Sequence, residues 1–93
     1  MRAQVEVIPG ADAGQFQVTV HDGGGRTTHV VTLRPESHRQ LAPAATAEEL
    51  IEASFHFLLD RESKESILRR FDLTVISHYF PDFDELVGDY LSA

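Results

Sequence analysis

Phe16, Val18 and Val20 alternate with Gln17, Thr19 and His21, and directly behind them stands Asp22-Gly23-Gly24-Gly25-Arg26. A period of two puts the three apolar side chains on one face of a strand. The glycines tolerate backbone conformations closed to other residues, so the chain reverses and Thr27 to Leu33 returns beside the first strand as a hairpin. That hairpin has one apolar face which the rest of the chain must cover. Its register stays open, because Val30 and Val31 are both apolar and a slip of one residue exchanges the faces. Val5 and Val7 alternate in the same way and join through Pro9-Gly10. The expectation is a three-stranded antiparallel meander over residues 1–34.

The cover is expected from the other half. Residues 35–45 turn to Pro, Ala and Ser and read as a connector with one short helical turn around Glu36 to Leu41. Thr46 and Glu49 have the reciprocal spacing of a capping box, so a helix is expected from Ala47 to about Asp60. At ~100° per residue its Leu50, Ile51, Phe55, Phe57, Leu58 and Leu59 cover half the circumference, enough to touch both the sheet and another helix. Ser63 is placed to cap a helix over Lys64 to Phe71, with Ile67, Leu68 and Phe71 in one stripe. Thr74 is placed to cap a short one that Pro81 ends at Phe80. Asp82 and Glu85 repeat the capping-box spacing before Leu86, Val87, Tyr90 and Leu91. The predicted fold is therefore α+β, a single domain over 1–93. Its three-stranded meander is followed by a helical layer over 46–92, with three or four short helices on one sheet face and Gln17, Thr19 and His21 on the open one.

Seven of the eight aromatic residues lie between Phe55 and Tyr90, and the charge is just as uneven. Up to Pro43 four basic residues balance four acidic ones; beyond it four basic residues face eleven carboxylates, which is the whole net charge of −7. Such a surface repels phosphate backbones, which disfavours nucleic acid. The absence of cysteine excludes disulfides, thiolate metal sites and a cysteine nucleophile. No apolar run approaches the ~20 residues of a membrane span, and Met1 to Gly10 lacks the pattern of a signal peptide, so a cytoplasmic protein is expected.

Several motifs carry candidate chemistry. The glycine run invites comparison with a phosphate-binding loop, but a strand follows it in place of a helix and no lysine is near it in sequence. Glu52, His56 and Asp60 share a helical face at i, i+4 and i+8 and make a candidate divalent-metal site, although a structural zinc needs three or four fixed ligands. The expected pair of helices between Lys64 and Phe80 raises a helix-turn-helix reading, with Arg69, Arg70 and His78 toward nucleic acid. Its second helix lacks the Arg, Lys, Asn or Gln that read base edges. The scattered histidines and serines form no catalytic spacing, so no enzyme and no cofactor is expected. Tyr79-Phe80-Pro81-Asp82-Phe83-Asp84-Glu85 sets aromatics among acids around a proline, a composition suited to docking on a partner protein. Tyr79, Phe80, Phe83, Asp84 and Tyr90 are the expected contact residues.

The block from Glu52-Ala53-Ser54-Phe55-His56-Phe57-Leu58-Leu59 through Lys64-Glu65-Ser66-Ile67-Leu68-Arg69-Arg70-Phe71-Asp72-Leu73 to Val75-Ile76-Ser77-His78-Tyr79-Phe80-Pro81 resembles that of a family of small, uncharacterised bacterial proteins. In them a similar helical block follows a hairpin like that of Phe16 to Leu33. The resemblance implies a bacterial cytoplasmic origin and brings no activity, cofactor or catalytic residue with it. The functional expectation is a non-enzymatic interaction or regulatory module that binds a protein partner, or a second copy of itself, through its acidic helical half.

Overall fold

The computed structural model describes residues 3–91. Three strands, β1 (Gln4–Pro9), β2 (Gln15–Asp22) and β3 (Gly25–Thr32), lead to helices α1 (Pro35–Leu41) and α2 (Ala47–Leu59). A 3-10 turn (Lys64–Ser66), a fourth strand β4 (Arg70–Asp72) and helices α3 (Val75–Tyr79) and α4 (Phe83–Leu91) complete the chain.

The meander forms as expected. Strand β2 pairs antiparallel with both neighbours, and Val18 lies opposite Val7 on one side and His29 on the other. The Phe16, Val18 and Val20 face is the covered one, with Val18 and Val20 fully buried. The open register question resolves with Val31 inward beside Phe16, while Val30 pairs with Gln17 on the outer face. Asp22 and Gly25 face each other across the turn; Gly25 takes the left-handed conformation at φ 120°, and Asp22 steadies the turn by accepting the Gly24 N–H at 2.8 Å.

Two expectations fail here. The sheet has four strands, not three, and it is mixed: β4 pairs parallel with β3, setting Phe71 beside Val31 and Asp72 beside Thr32. The stretch from Lys64 to Phe71 is accordingly not a helix. The edge of β3 offers unpaired N–H and C=O groups, and Arg69 to Leu73 satisfies them: Val30 N–H donates to the Arg69 carbonyl and Leu73 N–H to that of Thr32. Helical propensity over eight residues is too weak to compete with a sheet edge that needs covering.

Helix α2 lies over β1 and against α4. Its capping box is complete, since Thr46 Oγ1 accepts from Glu49 N–H at 3.1 Å and the Glu49 carboxylate accepts from Thr46 N–H at 2.8 Å. The width of its apolar surface has the expected meaning: Leu50, Ile51, Phe55, Phe57 and Leu58 are all buried. Phe57 packs edge-on against Phe80, Phe83 and Tyr90, while Phe55 touches His29 and Phe71. One core thus joins the strands to the helices, and no helix among the described residues is long and apolar enough to cross a membrane.

Candidate functional site

The end of α2, the 3-10 turn, β4 and α3 meet around an apolar cleft of about 300 Å³. Buried Leu58, Ile67, Phe71 and Ile76 form its floor, and half-buried Val75 and Phe80 form its walls. At the lip stand Leu68 and Tyr79, which keep 49% and 66% of their surface exposed, together with Ser66 and Glu62. The strand that replaced the expected helix creates this geometry. Alternation turns Phe71 inward, and the irregular step before it leaves Leu68 at the surface.

Leu68 is held from below. Its backbone carbonyl accepts a hydrogen bond from His29 Nδ1 at 2.7 Å, and His29, 1% exposed, receives the Thr27 hydroxyl on Nε2 at 2.8 Å. A carbonyl can only accept, so Nδ1 carries a proton, and in the neutral ring this leaves Nε2 to accept from the Thr27 hydroxyl. Burial holds its pKa below the ordinary 6.5, the nearby Arg69 charge adds to the effect, and the Leu68 bond opposes it.

Glu62 is the carboxylate among the residues that line the cleft. Burial among apolar neighbours raises its carboxyl above the ordinary 4.5. The adjacent Arg61 does not answer it. That guanidinium lies 3.7 Å over the Phe57 ring and donates to the Phe57 carbonyl and the Tyr90 hydroxyl.

Of the expected contact residues, Tyr79 and Phe80 line this cleft and the others do not. Phe83 is a correction: it is fully buried, because α4 uses it to close the core against Phe57. Tyr90 is half-buried and gives its hydroxyl to Asp60 at 2.5 Å, while Asp84 accepts from Ser77 at 2.5 Å. The missed members are Leu68 and Glu62. The local signal for Leu68 is a pair of adjacent apolar residues followed by two arginines, and its spacing to Phe71 equally fits a helical stripe.

The alternative sites come apart. His56 Nε2 stands 3.8 Å from Glu52, but Asp60 turns to Tyr90, and no three His, Asp or Glu side chains among the described residues converge as metal ligands. Arg69, Arg70 and His78 are exposed, and α3 does carry His78, yet the first helix of the expected pair is a 3-10 turn and a strand, so the helix-turn-helix reading loses half of its scaffold. The glycine turn does receive a lysine, from a distance the sequence conceals. Lys64 is buried there with its Nζ 2.8 Å from Asp22 and 2.6 Å from Glu65. Two carboxylates already occupy that ammonium, and Asp22 also takes the Gly24 N–H, leaving no vacancy for a phosphate.

Comparison with family models, with curated proteins and with solved structures gave no match, and the functional reading therefore rests on this geometry.

Proposed function

We propose that this protein is a non-enzymatic interaction module that takes an apolar anchor from a partner protein into the cleft between α2, β4 and α3. The observation that carries the reading is the pairing of an apolar floor with two large apolar side chains left exposed at its rim. Leu68 and Tyr79 keep surface in water that could instead cover an inserted side chain, and aromatic and aliphatic residues around a pocket are the usual hot spots of such contacts. A volume near the lower end of small-molecule sites suits one or two large side chains better than a whole cofactor. The absence of cysteine from the sequence is in keeping with a role in the cytoplasm.

A library of random 12-residue peptides displayed on phage tests this directly. Peptides selected on the full chain should lose binding to Leu68→Asp, whose substitution at a half-exposed position leaves the core untouched. Failure to recover any binder sensitive to Leu68→Asp would end the proposal.

A further inference from the structure

Glu62 lines the apolar cleft, and among the described residues no cationic side chain pairs with it there. The C-terminal half has four cationic side chains to offer. Arg61 is committed to Phe57 and Tyr90, and Lys64 to Asp22 and Glu65. Arg69 and Arg70 follow Leu68 but neither lines the cleft, and strand alternation sends Arg70 to the sheet face opposite Phe71. No hydrogen bond or ion pair reaches the Glu62 side chain among the described residues.

We infer that the segment docking in this cleft carries a lysine or arginine within one helical turn of its apolar anchor, and that this cation pairs with Glu62. The inference rests on the cleft being a protein-docking site. A carboxylate partly removed from water gains from an arriving ammonium or guanidinium, because the pair replaces solvation that the apolar walls have already reduced. The surrounding field agrees in sign. The net charge of −7, all of it in this half of the chain, draws cationic segments inward and repels a second copy of the same acidic surface. A basic, apolar-anchored peptide is thereby favoured over self-association.

The same phage selection separates this inference from the reading beneath it. Binders that depend on Leu68 should be enriched in Lys or Arg within four residues of a Leu or aromatic anchor. Synthetic versions of them, measured by fluorescence anisotropy, should bind Glu62→Gln about five- to tenfold more weakly. Selection on Glu62→Lys should exchange the cation for Asp or Glu at the same spacing. Leu68-dependent binders with no enrichment in cations, or with equal affinity for Glu62→Gln, would overturn the inference and leave the docking cleft standing. Recovery of no Leu68-dependent binder would remove both. Circular dichroism confirms that each variant is folded, and the exchange of selected charge by Glu62→Lys is a readout that loss of stability cannot imitate.

Discussion

His29 Nδ1–H donates to the carbonyl oxygen of Leu68 across 39 positions of chain, joining the middle of the sheet to the lip of the cleft. That bond serves the charged ring as well as the neutral one, so it is burial, and not the Leu68 carbonyl, that favours the neutral form, in which Nε2 accepts from Thr27. Because burial lowers the folded pKa below 6.5, the folded state favours the uncharged ring. This contribution to stability is full above 6.5 and declines as pH falls from there toward the folded value. Urea midpoints should drop between about pH 7.5 and pH 5.5 in the wild type and drop less in His29→Gln. Parallel curves for the two proteins would remove His29 as the cause.

The ion cluster at the hairpin turn titrates in the opposite range. Contact with Lys64, and then the Gly24 N–H, hold Asp22 below its ordinary 3.8, while Asp22 and then Glu65 hold Lys64 above 10.5. The stabilisation from Asp22 is full above 3.8 and lost as pH falls through its lower folded value; that from Lys64 is full below 10.5 and lost as pH rises through its higher one. Asp22→Asn should therefore be less stable than the wild type at neutral pH and indistinguishable from it in strong acid. An unchanged gap at about pH 2 would show that the effect is not electrostatic.

Phe83 and Tyr79 are four residues apart and belong to different worlds. Phe83 is fully buried against Phe57, so Phe83→Ala should cost about 3–5 kcal/mol. Tyr79 keeps 66% of its surface, so Tyr79→Ala should stay within about 0.5 kcal/mol of wild type. Chemical denaturation gives both numbers, and similar losses for the two would mean that Tyr79 is structural.

Thr46→Ala removes the acceptor of the Glu49 N–H and frees the Glu49 carboxylate from a fixed role. A loss of about 1 kcal/mol is expected, or roughly 4–8 °C in melting temperature for a domain of this size. A change within error would mean that packing of Leu50 and Ile51 alone holds the helix start.

Where local chemistry and tertiary packing agree, the sequence is legible: the alternation of Phe16, Val18 and Val20, the glycine turn, the Thr46 and Glu49 box and the stop at Pro81 all act within a few residues. Lys64 to Leu73 is different. Ile67, Leu68 and Phe71 match a helical stripe, while Phe71 and Leu73 match a strand, and three residues of strand are too few to decide by period. The decision comes from the unpaired edge of β3, far away in sequence. The cleft was half legible for the same reason. Tyr79 and Phe80 stand out by composition, whereas Leu68 and Glu62 reach it only because the chain between them and Phe71 is not helical.

The parallel pairing of β3 with β4 also sets an order of events at the ribosome. The hairpin of β2 and β3 can close as soon as it emerges, but the residues that cover the outer side of β3 are synthesised about 40 residues later, a delay of roughly 2–8 s at ordinary elongation rates. For that interval the nascent chain displays a bare strand edge, with the backbone groups of Val30 and Thr32 unpaired. Translation speed across residues 33–73, through its effect on how long that edge stays open, should govern how much of the protein reaches the folded pool and how much aggregates.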